Sequence, residues 1–236
     1  MIKAIVFDLW RTLIPATIDF VHLAALIKEE NVSVPEFVER YEKAVQLKKY
    51  KNFEELRKDF FDAFSEEPNE LLEQEIYEVY TNRFDKIRFF PETEKVLRKL
   101  KAEGYKLGLL SNTESLKAKE LEDRLHFKDF FDEIVYSFEI NAIKPDPKAF
   151  SAILKKLKVK PEEALMVGDS LRSDILGAQG VGMHNCLVNR LGKVLDSAKA
   201  KPEFEVKSLD EVFRALGVLN AQSKGTHKAK SLPKKK

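Results

Sequence analysis

Short apolar runs recur along this chain at 3–9, 106–110, 133–137, 164–167 and 184–188, with a last brief one at 204–206. Their length and aliphatic content suit strands buried on both faces. Helical stretches over 91–103, 116–125, 147–157 and 173–177 lie between them. Strands that alternate with helices imply βαβ units and a parallel sheet, so the fold class is α/β. Gly104 stands where a helix hands over to a strand, the place where a left-handed residue ends a helix without steric cost.

One segment breaks this alternation. From Pro15 to Arg88 there is no glycine and no convincing strand. The pattern reads as about four amphipathic helices over 16–30, 34–49, 53–65 and 69–84. Leu23, Leu26 and Ile27 show helical spacing, as do Phe53, Leu56, Phe60 and Phe64. Breaks are expected at Asn31-Val32-Ser33, Asn52 and Pro68, with Pro35 and Asn69 as helix-start residues. The expected organisation is a parallel-sheet core over 1–14 and 89–220, an inserted four-helix-bundle-like module over 15–88, and a tail over 221–236. The aromatics of the insert are expected to form its own core.

Bulk properties narrow the function classes. The 236 residues, 44% of them hydrophobic, suffice for one sizeable core and a smaller module. No apolar run reaches the length of a membrane span, and no signal-peptide pattern opens the chain, so a cytoplasmic protein is expected. A single cysteine, Cys186, excludes an intramolecular disulfide and lies in an apolar run, as a packed thiol would. The net charge of +2 hides an asymmetry: 221–236 carries six lysines and no acid, leaving the rest at −4. Without interleaved aromatics, those lysines are expected to form a disordered, solubilising end, and no nucleic-acid partner is expected. The 34% charged content, rich in Lys and Glu, leans toward a thermophilic source.

Four short segments close or trail the strand candidates. They are Asp8-x-Trp10-x-Thr12, Leu109-Leu110-Ser111-Asn112, Lys144-Pro145-Asp146-Pro147, and Gly168-Asp169-Ser170 followed by Asp174. Each alone could be a turn or a helix start. Together, at the ends of parallel strands where open α/β sheets bind ligands, they define a candidate site.

In this order, with a helical insert after the first, these segments resemble the haloacid dehalogenase superfamily. The resemblance runs from Ile2 to about Leu216. It implies a Rossmann-like core with a mobile cap, and a hydrolase that takes a small phosphate ester. Asp8 would be the nucleophile, forming an aspartyl-phosphate. Asp8, Asp169 and the main-chain oxygen of Trp10 would hold Mg²⁺, which prefers oxygen ligands and offsets the repulsion between a carboxylate and a phosphate dianion. Lys144 would neutralise the nucleophile and a phosphoryl oxygen. Thr12, Ser111 and Asn112 would donate hydrogen bonds to the phosphoryl group. Asp174 would orient Lys144 or a metal-bound water, with Ser170 in a similar supporting role.

One position departs from the phosphatase pattern. The family's phosphatases carry a second aspartate two residues after the nucleophile, to protonate the leaving alcohol and then activate water. Trp10 stands there, and an indole has no titratable proton to give. Such acid–base help is worth roughly 10²–10⁴ in rate, so esters with poor leaving groups should suffer most. Trp10 is expected either to pack under the cap or to wall the pocket. Two alternatives follow. A metal-independent 2-haloacid dehalogenase also lacks that aspartate, and Asn189-Arg190-x-Gly192, Pro202, Glu205-Val206 and Ser208-Leu209 resemble those enzymes, with Arg40 in the neighbourhood of their cap arginine. Asp169 opposes it, because a substrate carboxylate would be repelled there. A non-catalytic phosphate-binding protein is the other alternative; its warrant is Trp10 together with Arg11, which stands where the family commonly has glycine.

Overall fold

The computed structural model describes residues 1–16, 18–27, 33–64, 70–81, 86–192 and 200–230. Six parallel strands, β1 (Ala4–Phe7), β2 (Lys106–Ser111), β3 (Glu133–Tyr136), β4 (Ala164–Gly168), β5 (His184–Val188) and β6 (Phe204–Val206), form one sheet in the order β3-β2-β1-β4-β5-β6. This is the expected Rossmann-like α/β core. The strand order reverses at β1, between β2 on one side and β4 on the other, which opens a crevice at their carboxyl ends.

Every residue of β1 and β4 is buried because helices cover both faces of the sheet. Alternate side chains divide between two clusters. Ile5, Phe7, Leu107, Leu109, Leu165 and Val167 face one way, and Ala4, Val6, Leu110 and Met166 the other. Cys186 joins the first cluster, and burial pushes its thiol up to about 12, so it is a packing group. Gly104 adopts φ +85° after the helix that precedes β2, as its position predicts.

Eleven helices are described. The first four are α1 (Phe20–Leu26), α2 (Val34–Val45), α3 (Phe53–Phe64) and α4 (Glu70–Thr81). They carry a hydrophobic cluster of their own, with Leu23, Ile27, Phe37, Tyr41, Val45, Leu56, Phe60 and Phe64 all buried in it. Helix α2 starts where the sequence break ends: Ser33 donates from its N–H and its hydroxyl to Glu36 Oε2, at 3.0 and 2.6 Å, and Pro35 lies in the first turn. The expected break at Asn31-Val32, together with Pro68 and Asn69, lies outside the described residues.

The core helices are α5 (Thr93–Ala102), α6 (Ser115–Arg124), α7 (Phe127–Phe130), α8 (Ser137–Ile140), α9 (Pro147–Leu157), α10 (Gly177–Val181) and α11 (Val212–Lys230). A π-helical turn, Leu171–Leu176, leads into α10. The last helix is described as far as Lys230, and 231–236 lie outside the described residues. Ala221, Gln222 and the lysines of this helix are good helix formers, and they extend a helix already anchored by Val212, Ala215, Leu216 and Leu219.

Phe60 is fully buried and touches the rings of Tyr41, Phe61 and Phe64. Its replacement by alanine is expected to cost about 3–5 kcal/mol of stability in urea unfolding followed by circular dichroism. A loss below ~1 kcal/mol would show that the module lacks a packed core.

Candidate active site

The ends of β1, β2 and β4 meet at one buried ammonium. Lys144 donates from Nζ to Asp8 Oδ1 and to Asp174 Oδ1, both at 2.7 Å, and is 2% exposed. Asp8 follows β1 directly and is held there by its backbone N–H, which donates to the Val167 carbonyl of β4. Asn112, one residue past β2, fixes the backbone of Lys144 from both sides. Its Oδ1 accepts from Lys144 N at 2.8 Å and its Nδ2 donates to Lys144 O at 3.2 Å.

Asp174 reaches the site because Gly168 has no side chain. A Cβ on Gly168 would lie 2.2 Å from Asp174 Oδ2. That oxygen accepts instead from Ser170 N at 3.0 Å, while the Ser170 hydroxyl accepts from Ser173 N and starts the π-helical turn. Asp174 therefore orients Lys144, and Ser170 orients Asp174.

The carboxylates crowd one another. Atoms of Asp8, Asp169 and Asp174 lie within 4.8 Å of each other. Burial raises Asp8 to about 6, with Lys144 pulling it down and Asp174 pushing it up. Burial also lifts Asp169 well above the usual carboxylate range, with repulsion from Asp8 and Asp174 added. Burial alone would lower Lys144, but Asp174 and Asp8 together hold it above the usual lysine range. Asp8 Oδ2 is buried with no hydrogen-bond partner. Clustered carboxylate oxygens with an unused buried acceptor are the donor set of a hard divalent cation.

Trp10 walls the cavity while its ring packs on the core. Its indole Nε1 donates to Thr113 Oγ1 at 3.1 Å. Arg11 takes φ 60°, a left-handed turn that a β-carbon makes costly. Arg190 secures that turn: Nε donates to the Arg11 carbonyl, Nη2 to the Thr12 carbonyl, and Nη1 pairs with Glu92 at 2.6 Å. Its guanidinium lies 3.9 Å from the Phe90 ring centre.

A cavity of about 590 Å³ opens over these groups. Asp8, Trp10, Asn112, Lys144, Asp169, Ser170 and Asp174 all line it. Thr12 and Ser111 do not; they are buried beside it. The Thr12 hydroxyl has no partner, and the Ser111 hydroxyl lies 2.6 Å from that of Thr113. Arg40 is not at the cavity: its Nε donates to the Ala63 carbonyl and its guanidinium stacks on Phe64. Lys48 pairs with Asp59, and neither it, Lys49 nor Lys51 lines the cavity.

Among the cavity residues that the sequence pattern did not point to are two from one stretch of the helical module. Glu42 and Gln46 extend from α2 into the site, with Val38 one turn before them. The spacing of 38, 42 and 46 places them in one stripe beside the buried stripe Phe37, Tyr41 and Val45. A polar stripe bordering an apolar one was the available signal. Burial raises Glu42 to about 7, against the pull of Asn112 and Lys144, with Asp174 and Asp8 pushing it further up.

Residues 2–182 match the family of haloacid dehalogenase-like hydrolases, and the chain belongs to that family. It is therefore a hydrolase. It is 30% identical to the glyceraldehyde 3-phosphate phosphatase of Pyrococcus abyssi, with 98% of this chain and all of that protein covered. The corresponding phosphatase of Methanothermobacter thermautotrophicus is 39% identical over 127 residues, where the match spans about half of each chain, 54% and 56%. Among solved structures, a phosphatase of this superfamily from Thermococcus onnurineus is 29% identical, with a TM-score of 0.60 over 92% of this chain and 98% of that one. The 2-haloacid dehalogenase of Pseudomonas syringae is 25% identical, with a TM-score of 0.63 over 92% and 99%.

Two substitutions probe the site's physics. Because the folded-state pKa of Asp8 is raised above that of an exposed aspartate, its ionisation costs stability as pH rises from about 4 to about 6. In chelator, Asp8→Asn is expected to melt above the parent by several degrees near pH ~7.5 and by little near pH ~4. An equal difference at both pH values would refute this account of Asp8. Gly168→Ala is expected to lower stability by about 1–3 kcal/mol in urea unfolding, since the new methyl meets the Asp174 carboxylate. An unchanged midpoint would mean that Asp174 can move aside freely.

Proposed function

We propose that the chain is a Mg²⁺-dependent phosphatase that hydrolyses a small phosphorylated metabolite through an aspartyl-phosphate on Asp8. The observation that carries this reading is the cluster of Asp8, Asp169 and Asp174 around Lys144, with Asp8 Oδ2 buried and unpartnered. Phosphatases among the relatives, one of them matched over its full length, support the reaction class.

Asp8 and Asp169 with the Trp10 main-chain oxygen would hold Mg²⁺, with Asp174 behind them positioning Lys144. The cation supplies charge compensation, letting a carboxylate approach a dianionic phosphoryl group. Asp8 attacks phosphorus, and Lys144 neutralises both the nucleophile and a phosphoryl oxygen. Thr12, Ser111 and Asn112 are the proposed donors to the phosphoryl oxygens. The Thr12 hydroxyl, buried without a partner, supports this role. Residues 15–88 act as a cap that closes over the site and excludes water, on a core of 1–14 and 89–220.

A second reading, metal-independent dehalogenation, rests on Trp10 and on the likeness to 2-haloacid dehalogenases. The Asp169 carboxylate disfavours it, and Arg40 is bonded within the helical module rather than to the site.

Phosphate release from 4-nitrophenyl phosphate and from glyceraldehyde 3-phosphate is expected with Mg²⁺, to be abolished by a chelator and by Asp8→Asn. Chloride release from 2-chloropropionate in chelator, or phosphate release by Asp8→Asn at the parent rate, would overturn the proposal.

A further inference from the structure

The leaving group of a phosphate ester attacked by Asp8 must project away from the strand ends, toward the helices that roof the cavity. On that side the cavity wall is Ile18, Phe20, Val38, Tyr41, Glu42 and Gln46. Trp10 cannot supply the proton that the departing alkoxide needs.

The other ionisable groups on the cavity sit on the core side, within the aromatic packing of the helical module, or do not titrate near neutral pH. Asp8, Asp169, Asp174 and Lys144 form the charge cluster. Arg11 and Arg190 do not give up protons near neutral pH. The Glu114 carboxylate receives the Leu116 N–H at the start of α6. Tyr41 is packed among the aromatic rings of the helical module, against Phe20 and Phe60. Glu42 is the carboxylate that the roofing helices carry: it comes from a twelve-residue helix and lines the cavity. One turn further on, Gln46 Oε1 is 93% buried by residue, lines the cavity and has no hydrogen-bond partner, so a polar ligand group is wanted beside it.

Resting on the reading of Asp8 as nucleophile, we infer that Glu42 of the helical module is the general acid and base of this enzyme, taking the role that Trp10 vacates, with Gln46 binding a polar group of the leaving alcohol. In the first step an Asp8 oxygen bonds to phosphorus and the ester P–O bond breaks. Its electron pair goes to the alcohol oxygen, which takes the proton of the Glu42 carboxyl. In the second step the Glu42 carboxylate takes a proton from water as the water oxygen bonds to phosphorus. The Asp8–phosphorus bond then breaks, leaving inorganic phosphate, a free Asp8 carboxylate and a reprotonated Glu42. Burial that holds the Glu42 carboxyl protonated to about pH 7 supports the donor role.

The test compares Glu42→Gln with the full-length parent in Mg²⁺, on 4-nitrophenyl phosphate and on glyceraldehyde 3-phosphate. The amide keeps the size of the side chain, and thermal melts verify its fold. With the alkyl ester, kcat is expected to fall by ~10²–10⁴ with KM little changed. With the aryl ester, the first turnover should survive, because nitrophenolate leaves without a proton. The steady state should then slow, giving a burst of nitrophenolate as phosphoryl-Asp8 accumulates. Asp8→Asn, run in parallel, should lose both reactions. If Asp8→Asn is inactive while Glu42→Gln matches the parent, or slows both esters equally without a burst, the assignment of Glu42 is overturned. If Asp8→Asn stays active, it is the nucleophile reading that fails.

Discussion

The buried ammonium of Lys144 is the interaction on which the rest of the site depends. Bringing a lysine to 2% exposure costs several kcal/mol of hydration, and only close, well-aligned anions offset it. Asp8 and Asp174 do so at 2.7 Å each. That requirement explains features that otherwise look unrelated. Gly168 lacks a side chain so that Asp174 can approach, Ser170 N holds the second Asp174 oxygen, and Asn112 spends two hydrogen bonds on the Lys144 backbone. The parallel sheet makes this possible because β1, β2 and β4 are adjacent and end at one edge.

The same crowding makes a carboxylate cluster of the kind that could hold a cation. A single lysine does not neutralise Asp8, Asp169 and Asp174, and burial raises both Asp8 and Asp169. A structure that served stability alone would not hold such a cluster; replacing ionised groups by neutral ones of the same size commonly stabilises active sites. The turn after Asp8 carries further cost in the left-handed Arg11, and Arg190 compensates by binding two consecutive carbonyls of that turn. The Asn189-Arg190 segment, which as sequence resembles the dehalogenases, therefore has a mechanical role that is independent of the reaction catalysed.

Trp10 shows how a single substitution redistributes a site. The indole is tied to Thr113, whose hydroxyl in turn meets Ser111, so the region after β1 is packed and partly apolar. Polar groups on the opposite wall, Glu42 and Gln46, come from α2.

Much of the fold was legible because its signals are local. Periodicity placed all six strands within about two residues of their ends, and short buried runs admit few other structures in an alternating pattern. The motif residues Asp8, Asn112, Lys144, Asp169, Ser170 and Asp174 were legible for a similar reason: polar groups at the ends of apolar strands have few purely structural uses in such numbers. Thr12 and Ser111 came less cleanly, since burial put them beside the cavity rather than on it. The short helices α7 and α8 gave no periodic signal over four residues each, and the final helix was obscured by the lysines at its end. By itself, then, the sequence determined the α/β order, the helical insert and the gathering of polar motif residues at the strand ends, all of which reside in residue type and spacing. Only the tertiary structure decided that Glu42 and Asn112 line one cavity, that Arg190 grips Thr12 from 178 positions away, and that Arg40 turns from the site. Those contacts depend on how separate elements pack, and no spacing along the chain encodes the direction in which a helix presents its flank.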